Sequence, residues 1–369
     1  MIWLTWRQFR VQASAAAAVL AAFAILLAAT GPHLASRYAA SGITGCRGGA
    51  CSTAAARFLN GVSITTPYAV VYTLGMGLIL AAPGVLGIFW GAPLIAREFE
   101  NRTLAVAWTQ SITRYRWLMV KLALTGLAAV TVTEALSLMY GWWAEPIGRA
   151  IGLGGSQYWQ LPGVFSRHQF SQVIFPTHGI TPIGYAAFGF TLGVATGAVF
   201  RRALPAMAVT LAIFAAVQVA MPLLARPHFI PPERTVVSGP SFFVTAGMSV
   251  GTLEASTVPG QPAAWLLSSG AINAAGQPVR AIPAPCNGPS SQGKGAPSDA
   301  GACMASRGIR EAITYQPVSR YWAFQWIETG IYLALALVLA RVCFWRLGRR
   351  QKHPDETALA RGSEVALMT

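Results

Sequence analysis

The chain has 369 residues, of which 54% are hydrophobic and only 11% are charged. Soluble domains typically contain about 25% charged residues, so this composition excludes an ordinary soluble globular protein. The net charge of +15 would favour nucleic-acid binding in a soluble chain. Here the basic residues lie in short blocks beside apolar runs, a pattern typical of the cytoplasmic loops that orient membrane proteins. We therefore expect an integral membrane protein in the lipid bilayer, with no nucleic-acid partner.

Six apolar segments are long enough for a membrane helix, which needs roughly 20 residues. The predicted spans are about Ala13–Thr30, Tyr68–Ile95, Leu118–Trp143, Ile183–Phe200, Ala203–Ala225 and Tyr321–Val342. The second contains Pro83 and Pro93 among several glycines, so we expect it to be kinked or broken, because proline removes a helix donor. The first span also fits a cleaved signal peptide, since basic residues precede it and small residues follow.

Basic residues predict the orientation. With the N-terminus inside, the inner segments hold 15 of the 27 Lys and Arg residues, and the others are spread over longer outer loops whose charges count little for topology. The opposite orientation would place Arg201, Arg202 and the Arg346–Lys352 cluster outside. We expect a multi-pass protein of the plasma membrane with both termini in the cytoplasm.

The predicted fold class is an all-α integral membrane protein with six spans. An interfacial helix at 1–12, for which the alternative is a frayed N-terminus, leads into spans one to five at 13–225. An extracytoplasmic loop at 226–320, a sixth span at 321–345 and a cytoplasmic tail at 346–369 follow. The loop has strand-like runs at Ser241–Val250 and Trp265–Leu267, and its length exceeds that of a simple connection.

The inner segment between the second and third spans, residues 97–116, carries charges of both signs. Basic residues orient the chain, and that is the alternative role for all of them. The two acids do nothing for orientation; at the start of a short helix they would suit the helix dipole or a basic patch on a partner. The candidates for contact with a soluble partner are Arg97, Glu98, Glu100, Arg102, Thr103, Arg114 and Arg116.

Two carboxylates lie within predicted spans, Glu134 and Glu328. A charge in hydrocarbon costs several kcal/mol, so such residues usually face a bundle interior or a wet cavity. One interpretation is a polar contact on a translocation path. The alternative is a structural partner or an interfacial position, and for Glu328 the residues nearby in sequence are Arg320 and Gln325.

Four of the five cysteines lie outside under this topology: Cys46, Cys51, Cys286 and Cys303. Four cysteines in an oxidising compartment allow three disulfide connectivities. The local pairs Cys46–Cys51 and Cys286–Cys303 are the simplest, and free thiols are the alternative.

No constellation of catalytic or metal-ligating residues is present, and the five histidines are scattered. Gly288–Lys294 has the spacing of a phosphate-binding loop, but Gly295 stands where the motif requires Ser or Thr. It also lacks the preceding strand and the following helix. We therefore expect a protein that is not an enzyme, has no ATPase activity and binds no cofactor of its own.

The chain resembles the permease subunits of type 2 ATP-binding-cassette (ABC-2) exporters, especially those of actinobacteria. The order and spacing of the matching segments carry the resemblance: Leu4–Arg7; Ala96–Glu100 through Thr103; Trp108–Ser111 with Arg114, Trp117 and Lys121; Pro182–Phe188; Arg201–Arg202 with Leu204–Ala208; and Tyr315–Pro317 before Arg320, Trp322 and Gln325–Trp326. The resemblance covers essentially all six spans but not the middle of the 226–320 loop.

The resemblance implies a half-transporter that pairs with a second permease subunit, in a homodimer or heterodimer, and with cytoplasmic ATPase subunits that bind ATP and Mg²⁺. It also implies that Arg97–Arg116 carries the coupling helix that contacts the ATPase. Members often have Gly before the Thr where this chain has Arg102. The alternative is a multi-span sensor, receptor or accessory protein with an extracytoplasmic domain and no transport activity.

Overall fold

In a computed structural model, the described residues are 2–48, 50–62, 66–100, 114–153, 170–237, 258, 261, 264–279 and 303–349. Two π-helical turns, Gly87–Gly91 and Met221–Ala225, interrupt the second and fifth spans. The helices are α1 Ile2–Ala40, α2 Ala50–Gly61, α3 Pro67–Leu86, α4 Ala92–Glu100, α5 Arg114–Gly152, α6 Thr181–Phe200, α7 Ala203–Ala220 and α8 Tyr321–Arg349.

Six helical stretches of the described chain are long and apolar enough to cross a membrane. They are Phe9–Ala40, Pro67–Glu98, Met119–Gly152, Thr181–Phe200, Ala203–His228 and Val318–Arg346. Each overlaps one predicted span, so the prediction of a mainly helical, six-span membrane protein is confirmed. The predicted interfacial helix at 1–12 is continuous with the first span, because α1 runs unbroken from Ile2 to Ala40.

Two helices are much longer than the bilayer requires. At 1.5 Å per residue, the 39 residues of α1 and of α5 extend to roughly 58 Å, against about 30 Å of hydrocarbon core. The excess packs with α2 and the start of α3 around a shared core that includes Leu34, Phe58, Tyr140 and Trp143. We call this region the helical cap. Residues 31–40 and 144–152, which lie beyond the ends of the predicted first and third spans, are therefore helical.

The second span is interrupted where its glycines and prolines predicted an irregularity. After Pro83 the helix passes through the π-helical turn at Gly87–Gly91 and continues as α4. This turn packs directly on the backbone of α6: a Cβ added at Gly193 would lie 2.1 Å from the carbonyl oxygen of Gly87. Only glycine permits such an approach, and small residues are what bring membrane helices this close.

A small antiparallel sheet lies after the fifth span. Its strands are β1 Glu233–Val237, β2 Trp265–Ile272 and β3 Arg310–Gln316, in the order β1-β3-β2. β3 pairs with both neighbours, from Glu233 opposite Tyr315 on one side and from Trp265 opposite Gln316 on the other. The strand-like run at Trp265–Leu267 thus begins β2, whereas Ser241–Val250 lies outside the described residues.

The sheet is attached to the membrane helices through the start of α8. β3 leads through Pro317 into α8, and Arg320 donates a hydrogen bond of 2.9 Å to Glu233 of β1. Trp265 of β2 packs with Phe170, Phe324 and Tyr321 in an aromatic cluster at this junction. The term sheet side denotes the membrane face that carries the sheet. The term coupling side denotes the opposite face, where α4 ends and α7 begins.

Candidate functional site

The predicted partner-contact segment begins at the end of α4. Arg97 is exposed, whereas the Glu98 carboxylate forms an ion pair with the Lys121 ammonium group of α5. The exposed fractions of these two side chains are 16% and 6%. This ion pair therefore joins the second span to the third in a largely buried position.

The second acid of the segment contacts a different helix. The Oε1 atom of Glu100 accepts a hydrogen bond of 2.9 Å from the backbone amide of Ala203, the first residue of α7. The first amides of a helix have no acceptor within the helix, and a carboxylate there also interacts favourably with the helix dipole. Glu100 thus caps α7, whose own N-cap residue, Arg202, makes no side-chain cap.

These contacts correct the expected placement of the two acids. The sequence suggested that they begin a short helix, but α4 continues the second span through the π-helical turn, so Glu98 and Glu100 lie at its C-terminal end. Their carboxylates therefore contact other helices of the same chain instead of their own helix dipole.

The basic residues of the segment are less completely described. Arg116 is exposed on the first turn of α5, and Arg114 is its first residue. Arg102 and Thr103 lie outside the described residues. Arg97 and Arg116 are two exposed basic side chains that flank residues 101–113.

A buried ion pair lies near the sheet side. The Nε and Nη2 atoms of Arg226 donate hydrogen bonds of 2.8 and 2.9 Å to the two carboxylate oxygens of Glu328, and the Tyr185 hydroxyl donates to the same carboxylate. The side chains of Arg226 and Glu328 are 1% and 0% exposed. This bidentate geometry is the strong form of an arginine–carboxylate contact, and it joins the end of the fifth span to α6 and α8.

Arg226 makes one further contact and leaves one donor unused. Its guanidinium lies 4.2 Å from the centre of the Phe175 ring, within the range of a cation–π interaction. Its Nη1 atom is buried and has no hydrogen-bond acceptor among the described residues. Buried donors are rarely left unpaired, so this atom marks a position where a further acceptor would be favourable.

Glu328 therefore has a structural partner, but not the neighbours that the sequence suggested. Arg320 binds Glu233 and Gln316 instead. The Gln325 side chain accepts from the amides of Ile180 and Thr181 at the start of α6. Arg226 was not among the predicted site residues, because it begins the predicted outer loop. The sequence feature that could have indicated it is its positive charge at the end of the fifth span, on the same side of the membrane as Glu328 of the sixth.

Glu134 remains separate from this network. It is half-buried on α5, and its Oε2 atom is buried without a hydrogen-bond partner in the described part of the chain. It takes part in none of the ion pairs found there. The structure does not bring the two intramembrane carboxylates into one site.

An open cavity of about 490 Å³ lies between α3 and the fifth span. Its polar lining comes from Gln172, Tyr185, Gln218 and Arg226. The remaining lining is apolar or small: Gly77, Leu80, Ala81, Gly84, Val85, Ile88, Val173, Pro176, Leu211, Phe214, Ala215, Val219 and Pro222. The buried ion pair thus borders the cavity through Arg226 and Tyr185.

The cysteines are partly described. Cys46, in the connection between α1 and α2, forms a disulfide with Cys51 of α2 at a Cα–Cα distance of 5.0 Å, which is one of the two local pairings that the sequence favoured. Cys303 is also disulfide-bonded. Its predicted partner, Cys286, lies outside the described residues.

The fold and these sites define a multi-pass helical membrane protein of the permease type, with a charged segment on one face and a small sheet on the other. The sequence pattern of the family described as ABC-2 membrane transporter related matches residues 17–226. This match covers more than half of the chain and ends at Arg226. The chain therefore belongs to the ABC-2 membrane transporter related family. No curated protein and no solved structure matches it significantly.

Proposed function

We propose that the chain is the membrane-spanning permease subunit of an ABC exporter, which moves a substrate outward using ATP hydrolysed by a separate cytoplasmic subunit. Family membership supports a transport component. The partner ATPase would bind ATP and Mg²⁺, and a second permease subunit would complete the pathway. In the proposed orientation, the coupling side and both termini face the cytoplasm.

The observation that carries the proposal is the attachment of α4 to three other spans. Glu98 holds α5, Glu100 holds the start of α7, and a Cβ added at Gly197 of α6 would lie 2.4 Å from the carbonyl oxygen of Ala92. A displacement of residues 97–116 would therefore move several helices as one body. Rigid-body movement of packed elements is an established route for conformational switching.

The same contacts assign a role to each part of the segment. Glu98 and Glu100 would transmit motion within the chain, because their carboxylates already have intramolecular partners. Arg97 and Arg116 are exposed and would contact the ATPase. Arg102, Thr103 and Arg114 complete the proposed contact region from the sequence pattern alone.

A charge swap tests whether the Glu98–Lys121 pair transmits the motion. We expect Glu98→Lys to lower the ATP hydrolysis rate of the purified permease–ATPase complex several-fold, because it places two cations together. The double variant Glu98→Lys/Lys121→Glu should restore the rate, since it rebuilds the pair with reversed charges. Reversal of the exposed Glu145, which pairs with Arg149 one turn away in the helical cap, is the matched control and should leave the rate unchanged.

Two results would contradict this role. A double variant as defective as Glu98→Lys would show that Glu98 acts by direct contact with the partner. A single reversal that leaves both ATPase binding and hydrolysis intact would show that residues 97–116 serve only to orient the chain.

A further inference from the structure

The cavity between α3 and the fifth span has its polar and apolar residues at opposite ends. The fifth span runs from Ala203 on the coupling side towards Arg226 on the sheet side, so Leu211 lies deep in the membrane and Gln218 nearer the surface. Gln172 comes from the connection before α6, also on the sheet side. The hydrogen-bonding groups are thus gathered towards the sheet side, and the deep end is apolar.

The length of the cavity matches one leaflet of a bilayer. Its wall on the second span runs from Gly77 of α3 to Ile88 of the π-helical turn, which is about 16 Å at the rise of an α-helix. Half of a typical hydrocarbon core is about 15 Å. Measured from the polar groups on the sheet side, the cavity is long enough to reach roughly the middle of the bilayer.

The cavity is open along its length. Gly77, Ala81 and Val85 on α3, and Leu211 and Val219 on the opposite wall, are exposed. The surrounding surface is also apolar, with Leu74 and Leu223 more than half exposed. An occupant can enter sideways from hydrocarbon without passing through water.

We propose that this cavity binds one acyl chain of a phospholipid from the leaflet on the sheet side. The chain would lie between α3 and the fifth span, with its end beside Ile88 and Phe214. The ester and phosphate oxygens would lie near Gln172, Gln218 and Arg226, where the unpaired Nη1 donor of the arginine lacks an acceptor. The lipid would thereby contact the ion pair that joins the fifth span to α8.

Photolabelling tests the site directly. The full-length chain, purified with the subunits that accompany it, is placed in nanodiscs of phosphatidylethanolamine and phosphatidylglycerol. A fraction of the phosphatidylglycerol carries a diazirine near the end of one acyl chain. After irradiation, mass spectrometry should find the label concentrated in peptides that contain residues 77–88 and 211–222.

A matched pair of glycine variants separates this cavity from general lipid contact. A Cβ added at Gly77 or at Gly330 meets no heavy atom within 4 Å, and both glycines are exposed on membrane helices. Gly77 lines the cavity and Gly330 does not. We expect Gly77→Leu to reduce labelling of the two peptides at least threefold, and Gly330→Leu to leave it unchanged. Ala81→Leu replaces Gly77→Leu if the latter fails to insert.

The proposal is overturned if labelling is even over all lipid-facing helices or is insensitive to Gly77→Leu. It is also overturned if the cavity is unlabelled and cysteines introduced at Val85 and Val219 form disulfides between two copies, since a second copy would then fill it. Labelling requires neither ATP nor an ATPase. Its failure would therefore leave the proposed export function untouched, and a failure of the charge swap would leave the lipid site untouched.

Discussion

At the scale of single residues, the effects of substitutions at Arg226 and Glu328 on the stability of the protein should be strongly coupled. Removal of one partner leaves an uncompensated buried charge, which typically costs about 3–5 kcal/mol, whereas replacement of both by apolar residues is often close to neutral. We expect Arg226→Leu and Glu328→Leu each to lower the melting temperature in detergent far more than the double variant does. Additive losses would show that the two side chains act independently.

His178 provides a pH-dependent contribution outside the membrane spans. Burial lowers its pKa, although its Nδ1 atom contacts the carbonyl oxygen of Ile174 at 3.1 Å. The folded protein therefore resists protonation here more than the unfolded chain, whose histidines titrate near pH 6.5.

The sign follows from proton linkage. Below about pH 6.5 the unfolded state binds more protons, so stability should fall as the pH is lowered and be fully present above that value. Melting temperatures measured between pH 5 and 8 should show this decline in the native chain and a smaller one in His178→Gln. Identical profiles would exclude His178 as its source.

At the scale of elements, α6 and the π-helical turn at Gly87–Gly91 approach each other closely through glycines. We expect Gly193→Ala to cost roughly 1–3 kcal/mol, the usual range for overpacking, because its Cβ would lie 2.1 Å from the Gly87 carbonyl oxygen. Gly330→Ala is the control, since its Cβ meets nothing within 4 Å. Equal melting temperatures for the two variants would show that α6 and the π-helical turn can move apart without loss of stability.

The existence of the elements could be predicted from the sequence, but not all of their extent. Apolar runs of about 20 residues indicate spans, because the bilayer sets that length, and Pro83 with its neighbouring glycines indicated the interrupted second span. The helical cap was missed, because Thr30–Ala40 and Ala144–Gly152 are less apolar and their helical state depends on packing against α2 and α3.

In the candidate site, the sequence indicates which residues are charged but not which residues they contact. The charge of Glu98 and Glu100 is evident in the sequence, but their partners, Lys121 and the amide of Ala203, are 23 and 103 residues away. Arg226 and Glu328 are 102 residues apart. Contacts of this separation are fixed by helix packing, which a single sequence does not specify.

At the scale of the whole molecule, the charged segment, the glycine contact and the buried ion pair lie along one connected path. α4 is held to α5, α6 and α7 on the coupling side, and Arg226 holds the far end of the fifth span to α8 near the sheet. A push on residues 97–116 would thus reach the helices that border the cavity. This arrangement supports the proposed role of an export subunit driven by an ATPase.

The most direct test of the central claim is site-specific photocrosslinking from Arg97 and Arg116 in native membranes. If the chain is an ABC permease, a photoreactive residue at either position should give an adduct with a protein that carries a phosphate-binding loop. The same residue at Val236, exposed on β1, should give no such adduct. Crosslinks to an ATPase from Val236 but not from Arg97 or Arg116, or none from any position, would contradict the claim.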